Sequence, residues 1–539
     1  MADTRPPSPD EPPERRVHDS GDPKGELAAV PEEGEVAEPA RVTTRAWIGR
    51  FLGPILAVAL YLLLPGEAAG LADAARATAA VGTLMAVWWI TEALPLPVTA
   101  LLPIALFPLA GVLPVGEATA PYASDIIFLF MGGFMLALAM QRWGLHRRIA
   151  LLTVLAVGTR PTRVIAGFML ATAFLSMWVS NTATTVMMLP IGLSVLQLVF
   201  ERVQGLDPDE VTGAGAPNFA TCLMLAIAYA ASIGSLATLI GTPPNLFMAG
   251  FLAETYGIEI GFGQWMMVGL PLAAVFLVIA WVLLTRVVYP SALEEIPGGR
   301  QLFRDELARL GRVSRGEKIV AGVFLATAAA WVLREPLTGW EWLVTRLPGL
   351  EALSDPGIAI VAAILLFAIP VDARHGVFTL DWTTARQLPW GVLLLFGGGL
   401  SLARAVGTSG LDEWIGLQVG ALGGLPVVVL VLVAVAAVVF LTELTSNTAT
   451  AATFLPILGG VALGLDLDPL LLVVPAALAA TCAFMMPVAT PPNAIVFGSG
   501  HVTIPQMVRA GIWLNLVAIG LVVAVVYLLG PLALGLELG

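Results

Sequence analysis

Twice along this chain a short polar run, Ser-Asn-Thr-Ala-Thr, sits near the centre of an apolar block of 38 residues. Ser180–Thr184 lies inside residues 163–200 and Ser446–Thr450 inside 425–462. A helix crosses a bilayer in about 20 residues, so each block is too long for one span. A single span would also present these polar groups to lipid, where they are costly. A re-entrant helical hairpin, which enters halfway, turns at the polar tip and leaves on the same side, removes both difficulties. Irregular backbone at that depth is tolerated only where it lines a cavity or is buried in protein.

The duplication reaches beyond the cassette. Both copies run on to Leu-Pro (Leu189-Pro190 and Leu455-Pro456) and follow glycine pairs at equal distance (Gly132-Gly133 and Gly398-Gly399), all repeating 266 residues apart. A second phrase, Thr-Pro-Pro-Asn, recurs at Thr242–Asn245 and Thr490–Asn493, 248 residues apart. The first copy therefore holds 18 more residues between its motifs, which we assign to the polar stretch 201–218. Such self-similarity is an internal repeat of a whole structural unit.

Only 12% of the 539 residues are charged and 58% are hydrophobic, with a mean hydropathy of +0.87. Soluble domains carry about 25% charged residues. The chain reads as an all-α polytopic membrane protein, because lipid-exposed backbone must satisfy its own hydrogen bonds; no alternating strand pattern suggests a barrel. Eleven transmembrane helices are expected near 47–65, 76–94, 97–115, 124–142, 220–255, 264–288, 317–335, 356–371, 389–407, 471–499 and 508–532, in addition to the two hairpins. Residues 1–45, with 11 acids, 6 Lys or Arg and no apolar core, read as a disordered cytoplasmic tail. Residues 46–290 form a first membrane repeat with an extra N-terminal helix, 291–316 a cytoplasmic linker, and 317–539 a second repeat.

Lys and Arg in short loops set orientation. Arg142, Arg147, Arg148, Arg160 and Arg163 mark one loop, and Arg286, Arg300, Arg304, Arg309, Arg312, Arg315 and Lys318 mark the linker. Placing both inside puts the N-terminus in the cytoplasm and the C-terminus outside, in the cell (inner) membrane. The two hairpins then enter from opposite faces, so the repeats have inverted topology, a signature of secondary transporters.

The chemistry at the tips is that of neutral oxygen. Ser180, Asn181, Ser446 and Asn447 offer hydroxyl and amide oxygens, and Ser176 and Thr442 add hydroxyls one helical turn earlier. The carbonyls of Gly241 and Ala489 precede the proline pairs that break the helix. Two symmetric cages of hard oxygen result, suited to Na⁺. Asn181, Thr182, Thr242, Asn447, Thr448 and Thr490 supply donors for an anion with two carboxylate-like groups. Neither motif holds Lys or Arg, so positive charge must come from bound cations and helix N-termini. Glu443 is an intramembrane acid able to orient the second hairpin or tune its cation site, whereas Glu92 is expected at an interface. Cys222 and Cys482 read as small core residues.

The chain is not expected to be an enzyme. A hydrolase needs Ser with His or Asp, or clustered zinc ligands. His18, His146, His375 and His501 fall in tails or loops, and no HExxH, GxSxG or Walker run is present. A channel would not need paired oxygen cages.

On these motifs, together with Pro487–Gly500, the chain resembles the divalent anion/sodium symporter family, which includes Na⁺-coupled dicarboxylate and citrate carriers. The likeness covers roughly 47–535. It implies a homodimer whose protomers each hold a scaffold and a transport domain that slides as an elevator. It further implies a first sodium site at Ser176, Ser180, Asn181 and Gly241 and a second at Thr442, Ser446, Asn447 and Ala489. The anion would meet Asn181, Thr182, Thr242, Asn447, Thr448 and Thr490. The expected function is Na⁺-coupled symport of C4 dicarboxylates such as succinate, with lipid, sodium and the dicarboxylate as partners and no nucleic acid. The alternative is a Na⁺-independent exchanger, or a sulfate or tricarboxylate carrier of the same fold.

Overall fold

Charge-poor apolar sequence folds into helices, several of which begin at prolines, such as Pro161, Pro243 and Pro491, while others run through them, as at Pro190 and Pro456. The computed structural model describes residues 43–66, 70–158, 160–203, 216–291, 299–350, 352–419 and 426–538. The tail expected over 1–45 lies outside the described residues up to position 42, as do residues 204–215, where most of the first repeat's extra residues are expected, and 292–298 of the linker.

The chain opens with α1 (Thr44–Leu63) and α2 (Asp73–Thr91), then α3 (Leu96–Thr99), α4 (Leu102–Leu109) and α5 (Val115–Thr119). The first duplicated unit follows: α6 (Asp125–Arg142), α7 (Leu145–Val157), α8 (Pro161–Ser176), α9 (Asn181–Val203), α10 (Ala216–Ser235), α11 (Pro243–Tyr256) and α12 (Phe262–Val282). A linking helix α13 (Gly299–Arg309) leads to α14 (Arg315–Thr338), α15 (Glu341–Arg346) and α16 (Asp355–Ala368). A small antiparallel pair, β1 (Pro370–Asp372) with β2 (Val377–Phe378), and α17 (Trp382–Ala385) precede the second unit. That unit is α18 (Trp390–Ser409), α19 (Leu411–Val419), α20 (Val427–Thr442), α21 (Asn447–Gly464), α22 (Leu470–Thr481), α23 (Pro491–Gly498) and α24 (Ile504–Leu534). Helix for helix, α18–α24 repeat α6–α12 in the same order.

Among the described residues, nine helices are long and apolar enough to cross a membrane. The expected spans do not map onto them one to one. The span expected over 97–115 is divided into α3 and α4 at Pro103, in the first turn of α4, and ends at Leu109. The stretches 220–255 and 471–499 each become two helices around an unwound segment that ends at Thr-Pro-Pro-Asn. The blocks 163–200 and 425–462 are helix pairs α8–α9 and α20–α21, turning at 177–180 and 443–446.

Helices apolar on every side belong in a core. Every residue of α22 is buried, as are almost all described side chains of α10. The repeats interlock here: Tyr229 on α10 donates to the Met507 carbonyl at 3.2 Å, and Thr221 to that of His501 at 3.2 Å. Cys222 and Cys482 are free and buried in this core, as expected. The two basic segments also meet. Arg147 of α7 pairs with Glu306 of α13 at 3.1 Å, and Arg148 with Glu317 at the start of α14 at 2.6 Å.

Close approach of backbone replaces side-chain packing at matched glycines. A Cβ on Gly269 would lie 2.4 Å from the Leu236 carbonyl oxygen, and one on Gly511 2.3 Å from that of Phe484. Both contacts hold an unwound segment against α12 or α24. Gly269→Ala and Gly511→Ala should each cost about 1–3 kcal/mol of stability, read as a lower unfolding temperature in detergent. Gly520, also on α24 but with open space around it, should accept Ala without change; equal behaviour of all three would contradict this packing.

Candidate functional site

Each cassette begins a helix. Ser180 and Ser446 stand just before α9 and α21, and Asn181 and Asn447 are the first helical residues. The Asn181 amide oxygen accepts from the Ser176 hydroxyl, and its Nδ2 donates to Ser235 Oγ at 3.2 Å. In the second unit the single Thr442 hydroxyl proton is shared between Asn447 Oδ1 at 2.8 Å and the Ala480 carbonyl at 2.9 Å. The hydroxyl one turn before each cassette therefore fixes the rotamer of the cassette asparagine in both repeats. Ser176 and Thr442 are wholly buried.

The second motif also begins a helix. Thr242 and Thr490 have extended backbone and are the caps of α11 and α23, with proline at the first helical positions. Proline there loses nothing, since that N–H has no helical partner. The asparagine of each phrase folds back onto the unwound segment before it. Asn245 Nδ2 donates to the Thr238 carbonyl at 3.0 Å, and Asn493 Nδ2 to those of Met486 at 3.1 Å and Ala483 at 3.2 Å. Both side chains are wholly buried, and the Oδ1 of each has no partner among the described residues. This organising role was not assigned from sequence, although matched buried asparagines after two prolines were its signal.

The unwound segments are otherwise held differently. In the first unit Trp265 Nε1 donates to the Leu236 carbonyl at 3.1 Å, and Thr238 Oγ1 to that of Met177 at 2.5 Å. In the second the buried Glu443 carboxylate accepts three successive backbone N–H groups. They come from Phe484 at 2.6 Å, Met485 at 2.9 Å and Met486 at 3.0 Å, joined by Asn515 Nδ2 at 2.7 Å. Glu443 thus ties the second hairpin to the unwound turn between α22 and α23.

All four helix starts meet at one cavity of about 750 Å³. Ser180, Asn181, Thr182, Gly241 and Thr242 line it from the first unit, and Ser446, Asn447, Thr448, Ala489 and Thr490 from the second. Of the candidate residues only Ser176 and Thr442 stay behind the wall, on the asparagines they orient. The opposite wall is Phe130, Phe134, Leu138 and Gln141 of α6 with Gln387, Pro389 and Val392. Glu92, expected at an interface, also lines this cavity, and its backbone is left-handed at φ 52°.

A small hard cation fits this donor set. Each asparagine Oδ1 has two lone pairs, one of which the Ser176 or Thr442 hydroxyl takes. The Gly241 and Ala489 carbonyls lie at helix breaks beside hydroxyls. No group of three His, Cys, Asp or Glu side chains clusters among the described residues, so the tips offer neutral oxygen of the kind favoured by hard ions rather than soft or transition metals. Four helix N-termini border the cavity, each carrying about half a positive charge. Among the described residues no Lys, Arg or His lines it.

A family profile described as sodium:sulfate symporter transmembrane region matches residues 45–534. The chain belongs to this family. It is a family of membrane transporters, so the protein is an integral membrane transporter and not an enzyme. The chain is 44% identical over 492 residues to a sodium-dependent dicarboxylate transporter, SdcS, of Staphylococcus saprophyticus, covering 91% of this chain and 92% of that one. It is equally similar to SdcS of Staphylococcus aureus strain USA300, with the same coverage. Among solved structures the YdaH transporter of Alcanivorax borkumensis shares the fold, at a TM-score of 0.54 and 16% identity over 85% of this chain and 99% of that one.

Glu443→Ala would leave three buried N–H groups without an acceptor, at about 1–3 kcal/mol each. The purified variant should unfold well below the parent or fail to fold. Glu443→Gln retains one acceptor oxygen and should fall between them. A Glu443→Ala protein as heat-stable as the parent would remove the carboxylate from this structural role.

Proposed function

We propose that this protein is a secondary active transporter of the inner membrane that carries Na⁺ and a divalent anion together, with C4 dicarboxylates such as succinate as the preferred cargo. The observation that carries this reading is the meeting of both Ser-Asn-Thr tips and both Thr-Pro-Pro turns at one cavity lined, among the described residues, by no cationic side chain. A dianion held there depends on helix ends and on cations bound at the same tips, which couples the two cargoes electrostatically. The names of the relatives, sodium-dependent dicarboxylate transporters, support the same pairing of ion and anion.

On this reading Ser176, Ser180, Asn181 and Gly241 hold one Na⁺, and Thr442, Ser446, Asn447 and Ala489 the second. Asn181, Thr182, Thr242, Asn447, Thr448 and Thr490 meet the carboxylates. The pairs α8–α9 and α20–α21 are re-entrant hairpins of opposite entry, as inverted repeats require. The cytoplasmic side is that of α7 and α13, whose contact through Arg147 and Glu306 supports placing both basic segments together. The N-terminus is then inside and the C-terminus outside. The protein works as a homodimer, and the hairpin-bearing part slides as an elevator against the α6 wall.

Uptake of labelled succinate, citrate and sulfate into proteoliposomes tests the reading. Succinate uptake should follow an inward Na⁺ gradient; equal uptake with K⁺ or choline would favour an exchanger, and sulfate outcompeting succinate a sulfate carrier. Asn181→Ala and Asn447→Ala each remove a hydrogen bond to charge, worth about 1.5–3 kcal/mol, or roughly tenfold to a hundredfold in affinity. Near-normal transport by either would reduce the cassette to a helix contact.

The two classes of tip residue should separate. Ser176→Ala and Thr442→Ala should raise the Na⁺ needed for half-maximal uptake, and their succinate affinity should recover at saturating Na⁺, since the two cargoes are linked. Thr182→Val and Thr448→Val should weaken succinate even at high Na⁺. A Na⁺ titration giving one phenotype for all four variants would show that cation and anion contacts are not divided in this way.

A further inference from the structure

A second cavity, of about 290 Å³, lies away from the polar site, between α1 and α2 on one side and α18, α19 and α21 on the other. Its walls are almost wholly apolar, with Leu60, Ala79, Leu402, Trp414 and Ile457 among them. Three hydroxyls reach the wall. Those of Thr78 and Thr83 are spent within their own helix, on the carbonyls of Ala74 and Ala79 at 2.8 Å each. The third belongs to Thr453 on α21, which is only 7% exposed, and its Oγ1 has no partner among the described residues. An orphan hydroxyl at an apolar cavity costs free energy unless a ligand supplies an acceptor. The volume is close to the lower end of small-molecule sites, roughly 300–1,000 Å³.

The surroundings identify the ligand. The cavity reaches Leu64, just past the end of α1, and Leu411 at the start of α19, so it runs inward from the end of a span. Beside it Leu62 and Leu63 of α1 are 69% and 82% exposed, and Ile457 of its own wall is 42% exposed. Ile457 makes this exposed apolar surface continuous with the cavity, and in a bilayer such a surface meets acyl chains. We propose that the cavity holds one acyl chain of a bilayer lipid, with the ester carbonyl oxygen accepting a hydrogen bond from Thr453.

Occupancy is connected to the polar site through two helices. Helix α21 gives Asn447 and Thr448 to the polar cavity and Thr453, Pro456 and Ile457 to the apolar one. Trp89 near the end of α2 lines the apolar cavity and Glu92, which caps that helix, the polar one. A chain wedged between α2 and α21 fixes their spacing, so lipid and anion affect each other's binding reciprocally.

The test uses the full-length protein in liposomes containing a phosphatidylethanolamine with a diazirine in one acyl chain. After irradiation, the peptide that contains Thr453 should carry label. Ala79→Phe, which fills the cavity, should cut that label at least fivefold, and Thr453→Val, close in shape, roughly two- to fivefold, with both proteins monodisperse in detergent. Labelling of the Thr453 peptide that neither variant reduces would overturn the site. A photoactivatable free fatty acid labelling that peptide in place of the phospholipid would overturn the assignment to a lipid chain. The coupling rests on the transport reading: half-saturating succinate should shift at least twofold in Ala79→Phe, and unchanged kinetics with lost label would overturn the coupling alone. Absence of succinate uptake in the parent would count against the transport reading, while the labelling result stands by itself.

Discussion

The convergence of four helix N-termini on one cavity is the constraint on which the rest of the structure depends. Each start leaves backbone N–H groups without helical partners and carries about half a positive charge, so four together offer about two. Bringing them to one place requires helices that begin in the interior, and hence turns and unwound segments at depth. Those are viable only if every freed carbonyl and N–H finds a partner. The tethers from Asn245, Asn493, Trp265, Thr238 and Glu443 serve that requirement, and the glycines at 269 and 511 let α12 and α24 approach closely enough to cover the result.

The two units meet this demand with different chemistry, although their cassettes are identical. In the first, neutral donors hold the unwound carbonyls. In the second a buried carboxylate gathers three N–H groups, at a position where the first unit has Met177. An acid therefore stands behind one tip and a thioether behind the other, so on the proposed reading the two sodium sites have unlike surroundings even though their direct ligands correspond.

Much of this was legible in the sequence, and for a physical reason: a polar cassette in lipid-facing sequence has few permitted conformations. The helix pairs around Ser180 and Ser446 start and stop within a few residues of the apolar blocks that announce them, and all the cassette and Thr-Pro-Pro positions singled out as contacts line the cavity. The spans were less legible. Over 97–115 apolar composition alone suggested one helix, but it divides at Pro103, and hydropathy does not register a missing N–H. Glu92 and the amides of Asn245 and Asn493 acquire their positions only from chain-distant packing, which no local pattern encodes. Glu443 was visible as an anomaly, but its partners at 484–486 and 515 lie on segments with no sequence relation to it.

The lack of a lining Lys or Arg then has a consequence for coupling. A carrier that held its dianion on a fixed guanidinium would bind it well without sodium, and the loaded but sodium-free protein could move and dissipate the gradient. Among the described residues the permanent positive potential at the cavity comes from helix ends, which water screens when the cavity is open. On the proposed reading the remainder arrives as mobile ions at Asn181 and Asn447, whose Oδ1 atoms are already aligned by Ser176 and Thr442. Because each asparagine serves both cages and carboxylate contacts on the proposed reading, an empty cage leaves that side chain less ordered and the anion less well held. On that reading the dependence of anion on cation rests in two side chains that belong to both sites, with no longer-range relay needed between them.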